Sequence, residues 1–249
     1  MIKVEMRFFN DRLLKASTSE SQISSTLEGI CNSGRFREEL EDHGRNVGKG
    51  HGLRSKVVSL SKVHISFLIS GDEKSLAEVK DEMFQAYGEL LNLTIPSDIR
   101  EGLIGDAEQE IAEALLCDVF SGYIFRGDSP RLFSTMGMEI STRGWLAGLL
   151  DSVSELSKLV GDYLMSRDFS TEEELEVRGR YVEFGRATCA FLATFKGVPP
   201  TALNASRRPG QGFQSKLVRV EELVLMHQRD FNRLRRETEI LRKMSEVAK

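Results

Sequence analysis

The sequence predicts an all-α protein, and three observations carry that prediction. Only 5 of the 249 residues are proline, so little interrupts a helix. Leu, Glu, Lys, Arg and Ala, all good helix formers, dominate the chain. Apolar residues recur at three- and four-residue steps, and no stretch alternates as a strand would.

Residues 1 to 34 are the least readable, with "STSESQISS" looking like a loop or lead-in. From Arg35 to about Ser70 a helical pattern runs to "SGDE", weakened by Gly44, Gly48, Gly50 and Gly52. An amphipathic helix follows the Gly-Asp break. "TIPSD" then stops and restarts the chain: Pro96 ends one helix, and Ser97 or Asp98 can cap the next. That next helix covers roughly 98 to 126. "RGDSPRLFSTMGMEISTRG" is a turn-rich connection, and "WLAGLLDSVSELSKLVGDYLMSRD" a further helix. Ser170 or Thr171, followed by three glutamates, starts another, which "KGVPP" ends. The last runs from about Gln214 almost to the end. Its Leu217, Val220, Val224, His227, Phe231, Leu234, Thr238 and Leu241 form a heptad seam with two polar interruptions. The expected architecture is a bundle of about six or seven helices with a long C-terminal helix.

Composition narrows the function. With 29% charged and 40% hydrophobic residues, the chain reads as an ordinary soluble globular protein. The net charge of −4 argues against nucleic-acid binding by bulk charge, so local distribution must carry any such role. Cys31, Cys117 and Cys189 are sparse and without pairing or metal spacing, which fits a reducing cytoplasm. The N-terminal "MIKVEMRFFNDRLL" is not a signal peptide, and no segment approaches the roughly 18 uncharged apolar residues that a membrane span needs.

Two acidic patterns stand out. On the 98–126 helix, Asp106, Glu110 and Glu113 share a face with Ile99, Leu103, Cys117 and Ile124. A carboxylate on an apolar stripe needs compensation, because its desolvation costs about several kcal/mol. Glu110 and Glu113, at i and i+3, repel unless a proton or cation lies between them. A hard divalent ion such as Mg²⁺ suits them, and a wet rim is the plainer alternative. On the next helix, Asp151 and Glu155 stand at i and i+4, opposite the apolar face formed by Trp145, Leu149, Val153, Leu156 and Val160. That position alone favours a solvated face. Yet Ala147, Gly148, Ser152 and Ser154 surround Asp151 with small residues that let a helix or ligand approach closely.

Two stretches lack acids. His43–Gly71 carries Arg45, Lys49, Arg54, Lys56 and Lys62. Phe184–Val220 carries Arg186, Lys196, Arg207, Arg208, Lys216 and Arg219, with Phe184, Phe191, Phe195 and Phe213. Such stretches can contact phosphates without carboxylate repulsion, or simply balance acidic neighbours. Arg45, Lys49, Arg54, Lys56, Arg207 and Arg208 are the expected nucleic-acid contacts. Other motifs are absent. "GRNVGKG" fails as a phosphate loop, the four histidines lack zinc spacing, and there is no E-x-x-H or G-x-S-x-G.

"GWLAGLLDSVSELSKLVGDYLMSRDFS" resembles the core signature of the translin family, which comprises translin and translin-associated factor X. The shared pattern is an aromatic-Leu-x-Gly start, an Asp four before a Glu-Leu, and an Arg-Asp-Phe turn. "EQEIAEALLCDVFSGYIF" stands where that family has its E-x-x-E helix. The resemblance covers roughly residues 35 to 230. It leaves 1–34 as a lead-in and 231–249 as a helical extension. It implies a seven-helix, translin-like all-α fold, oligomers that are typically octameric shells, and RNA or single-stranded DNA binding on their inner surface. A second translin-family subunit could join a hetero-oligomer. In the factor X branch, acids bind Mg²⁺ and cut RNA, and its four acids map onto Glu110, Glu113, Asp151 and Glu155. The expectation is therefore a cytoplasmic, Mg²⁺-dependent endoribonuclease, with Mn²⁺ as a substitute. Glu110, Glu113 and Asp151 would hold the ion, and Glu155 would complete the site as ligand or base. The rivals are a translin-type binder that never cuts and an all-α Mg²⁺-dependent pyrophosphohydrolase of nucleoside triphosphates.

Overall fold

In the computed structural model the described residues are 34–130, 139–166, 168–195 and 213–247. They form six α-helices and no strand: α1 Gly34–Ser70, α2 Glu73–Leu91, α3 Ser97–Ser121, α4 Thr142–Met165, α5 Thr171–Ala193 and α6 Phe213–Val247. The chain divides into two compact units, Met1–Gly48 and Lys49–Lys249. The helical pairings below all belong to the second.

The helix ends follow local chemistry. Gly71, at φ +70°, lets the chain leave α1, and the Asp72 carboxylate then accepts from the Ser75 amide at 3.1 Å to start α2. At the far end of α2, the Arg100 guanidinium donates to the carbonyls of Leu91 and Leu93, each at 2.8 Å, satisfying groups the helix leaves open. Ser141 caps α4 by accepting from the Gly144 amide at 3.1 Å. Ser170 and Glu173 form the reciprocal capping box at the start of α5, one of the two starts offered by the sequence.

The glycine-rich part of α1 is helical throughout, contrary to the weakening read from its four glycines. Packing accounts for one of them. A Cβ on Gly50 would lie 2.7 Å from Ile95 Cδ1 and 3.1 Å from Leu103 Cδ1, so only glycine fits without displacing those side chains. Nothing in the structure explains Gly44, Gly48 or Gly52.

Helix α3 packs most extensively on α4, and α5 on α6, while α4 also touches α5 and α6. Helix α4 is thus central, which is why it buries Leu146, Leu150, Val153, Leu156, Leu159 and Val160 rather than one narrow stripe. Helix α3 continues into a π-helical turn, Gly122–Arg126, closed by Gly127 at φ +77°. Arg180 on α5 donates to the carbonyl of Ile124 at 2.8 Å inside that turn. The seam of α6 is buried through Leu217, Val220, Val224 and His227. It then emerges, and Leu241 is 65% exposed. Among the described residues, no helix is long and apolar enough to cross a membrane.

Candidate functional site

The site begins with two glycines on one face of α4. A Cβ on Gly144 would lie 2.7 Å from Glu108 Cβ. One on Gly148 would lie 2.5 Å from Ala112 Cβ and 2.7 Å from the Glu113 amide nitrogen. Residues 144 and 148 therefore meet 108 and 112–113 in rising order on both helices, so α3 and α4 run side by side in the same direction, nearly backbone to backbone. One turn further on, the Cys117 thiol lies 3.9 Å from the carbonyl of Ser152, in the same register. Any side chains flanking this contact are forced together.

Those side chains are acids. Glu113 and Glu110 on α3 are brought to Asp151 on α4, and Glu155 acts on Glu113 from one turn beyond. All four are half-buried. Burial, first, and then the charges of Asp151, Glu110 and Glu155 push the Glu113 carboxyl up to about 8, against the pull of Lys216. Burial also raises Glu110; Asp151 adds to this, while Lys62, Lys216 and Arg54 oppose it. The four acids named from the sequence thus form one electrostatic cluster. The face of α4 opposite its apolar residues is the face that meets α3, so the small residues around Asp151 were a better guide than the solvated face its helix position alone favours.

Two neighbours of the cluster, Lys216 and Gln109, were not assigned to it from sequence. Lys216 Nζ donates to Asp151 Oδ2 at 2.6 Å, from the first turn of α6. Gln109 Nε2 donates to the same oxygen, also at 2.6 Å. Glu108 is buried and accepts from the hydroxyls of Tyr87, at 3.1 Å, and Ser141. Nothing in the linear pattern pairs residue 216 with 151. A usable signal for the helix contact was the Gly144-x-x-x-Gly148 spacing, which opens one face of a helix to close approach. Outside the cluster, Asp106 is bound by Arg54 Nη2 at 2.8 Å; within it, Glu155 pairs with Lys158 of its own helix.

The basic residues are not brought together in the same way. Arg45 is exposed and paired with Asp42. Lys49 and Lys56 are exposed on α1. Arg54 is held by Asp106 at the rim of the cluster. Arg207 and Arg208 lie outside the described residues. Of the phenylalanines, Phe184 is buried against Phe120 with ring centroids 4.3 Å apart, and Phe213 is buried at the start of α6, so both serve the core. Phe191 is exposed, with its ring edge-on to Phe195 at 5.3 Å.

The donor chemistry of the cluster suits a hard divalent cation: four carboxylates, mutually repelling, with an ammonium already drawn in among them. As the side chains stand, no three His, Cys, Asp or Glu residues among those described are gathered closely enough to hold an ion. Holding one would require carboxylate rotation and withdrawal of Lys216 from Asp151.

Comparison with known proteins gives a fold and no closer relative. No protein-family profile matches the chain, and no curated protein matches it. Among solved structures, it is similar to AfC3PO in complex with duplex RNA, at 17% identity and a TM-score of 0.60, over 81% of this chain and 95% of that one. It is also similar to AfC3PO alone, at 16% identity and a TM-score of 0.63, over 81% and 96%. The third is apo-NeC3PO, at 16% identity and a TM-score of 0.62, over 82% and 97%.

Proposed function

With a translin-family fold as the premise, we propose that this chain is a Mg²⁺-dependent endoribonuclease of the translin-associated factor X type, acting on single-stranded or structured RNA. The observation that carries the reading is the close parallel contact at Gly148, which sets Glu110 and Glu113 against Asp151 and Glu155. The likeness to a structure solved with duplex RNA supports RNA as the ligand class. The reading also takes from the resemblance a cytoplasmic homo-oligomer, an octamer in the family pattern, or a mixed assembly with a second translin-family subunit.

A bound divalent ion supplies electrostatic stabilisation of the phosphate and a more acidic water. The residues of the chain do the rest. Glu110, Glu113 and Asp151 provide the oxygen donors, and the backbone contact fixes the spacing of their Cα atoms. Glu113, half-buried among the other acids and held up by burial and their charges, would be one of the oxygen donors to that ion. Glu155 orients the attacking water or completes the donor set. Lys49 and Lys56 on the exposed part of α1, with Arg207 and Arg208, hold the RNA backbone by charge.

Cleavage of a labelled single-stranded RNA, in Mg²⁺ and in EDTA, tests this. Activity is expected only with Mg²⁺, and Glu113→Ala should lower it by at least about 100-fold. Equal cleavage in EDTA, or full activity in the variant, overturns the proposal. One observation favours a second reading, an oligomeric RNA or single-stranded DNA binder that does not cut: Asp151 is already neutralised by Lys216. Salt-dependent binding with no Mg²⁺-dependent cleavage would select it.

A further inference from the structure

The ammonium of Lys216 is placed where a divalent ion would neutralise the acids. It lies 2.6 Å from Asp151 Oδ2, with side-chain exposures of 23% for Lys216 and 25% for Asp151. A charge-assisted contact of that length in a half-buried setting is among the stronger hydrogen bonds a protein makes. The same ammonium is the cation that opposes the rise of Glu113, and it acts on Glu110 as well. The other cations are differently placed: Lys62 on α1 acts on Glu110 by charge, Lys158 pairs with Glu155 along one helix, and Arg54 holds Asp106 at the rim. Lys216 arrives from a third helix. Its backbone is fixed by Phe213, Leu217 and Val220, all buried, so a packed helix delivers the charge.

An ion cannot share this position with the ammonium. Mg²⁺ binds oxygen at about 2.0–2.1 Å and demands near-octahedral order. Asp151 Oδ2 already accepts two donors, from Lys216 and Gln109. Two cations on one carboxylate oxygen would repel at short range. The lysine stem, four carbons with free rotation, allows the ammonium to leave while α6 stays packed.

We propose that Lys216 is an internal counter-cation of the cluster: the site holds either the Lys216 ammonium or a divalent ion on Asp151, and exchange between them sets the affinity for the ion. This rests on the divalent-ion part of the proposed function and not on RNA cleavage. It also accounts for acids that are electrostatically joined yet not gathered as ligands.

The test is Mn²⁺ binding to the full chain, followed by calorimetry and by the loss of the free-ion electron paramagnetic resonance signal. Lys216→Met keeps the length and removes the charge. It should bind Mn²⁺ about tenfold more tightly than the unaltered protein, while Lys216→Arg, which keeps the charge, should change affinity by less than about twofold. Unchanged or weaker binding by Lys216→Met overturns the proposal. A second measurement needs no variant: amine acetylation of Lys216, read by mass spectrometry, should rise when Mn²⁺ is added, and constant reactivity overturns the exchange. The two readings separate cleanly. Tighter Mn²⁺ binding by Lys216→Met with no RNA cleavage by the unaltered protein keeps the exchange and removes the nuclease. Mn²⁺-dependent cleavage with no effect of Lys216→Met does the reverse. If neither form binds Mn²⁺, both fall.

Discussion

The junction of α3 with α4 and that of α5 with α6 use one packing device and reach opposite ends. Each brings two helices close at a glycine. At Gly148 the obstacle to a Cβ is the main chain of Ala112 and Glu113 as well as the Ala112 methyl, whereas at Gly185 it is the methyl groups of Val224. Around the second contact the polar groups largely pair with neutral partners, with Nδ1 of His227 the exception. Ser157 Oγ and His227 Nε2 are 2.8 Å apart, Tyr181 donates to the carbonyl of Val153 at 3.1 Å, and the rings of Tyr181 and His227 lie tilted at 54° with centroids 4.4 Å apart. Around the first contact the flanking groups are carboxylates, which cannot satisfy one another and draw in a lysine from α6. Close packing is indifferent to the chemistry it assembles. Where the flanks are neutral it yields a finished core; where they are like charges it yields a place that wants a cation.

The largest expected effect tests the packing itself. Gly148→Ala must push two backbones apart and should cost about 3 kcal/mol in urea unfolding, while Gly185→Ala, which asks one side chain to yield, should cost about 1 kcal/mol. Equal costs would break the comparison.

The next effect concerns charge. The Glu113 carboxyl ionises near the usual carboxylate range when unfolded but near about 8 when folded. Between those values the folded chain binds the extra proton. Its contribution to stability is therefore complete below the unfolded value and is lost as pH rises through the folded one. In EDTA, stability should fall by about 2 kcal/mol between pH 5 and pH 9, roughly half of what the full gap gives because solvent screens the half-buried carboxyl, and Glu113→Gln should flatten that fall. A profile with the same slope in the variant would place the titration elsewhere.

The smallest effect belongs to the neutral junction. Ser157→Ala leaves both ring nitrogens of buried His227 without a partner, since Nδ1 already has none, and should cost about 1 kcal/mol with little dependence on Mn²⁺. Thermal unfolding with and without Mn²⁺ checks it. A large Mn²⁺ rescue would mean the two junctions are not chemically separate.

Much of the fold was legible because its signals are local. The break at Pro96, the capping box from Ser170 and the α6 seam are each read within a few residues. The four acids were legible as two pairs because helical spacing places i, i+3 and i+4 on one side. Their meeting was legible only indirectly, through the small residues around Asp151 and the likeness to a known pattern. The helical wheel alone put Asp151 and Glu155 on a face that favours solvent, because a central helix buries more than one face and a period calculation sees only the dominant one. Lys216 was read only as part of an acid-free stretch open to phosphates, yet its neighbours in space are acids. Electrostatic partners 65 positions apart, as Asp151 and Lys216 are, leave no trace in a linear pattern. Gly50 was misjudged for the same reason: its use is defined by Ile95 and Leu103.

The widened turn at Gly122–Arg126 has a consequence for how such a chain can change. A helix that accommodates a surplus residue in one loose cycle resets its angular phase only downstream, by about 100° per residue gained or lost. Glu110 and Glu113 lie upstream, so their azimuth is insulated from insertions and deletions in the tail. The hydrogen bond from Arg180 to the Ile124 carbonyl ties the loosened cycle to α5. Length variation after Ser121 and conservation of direction before it can coexist in one continuous helix.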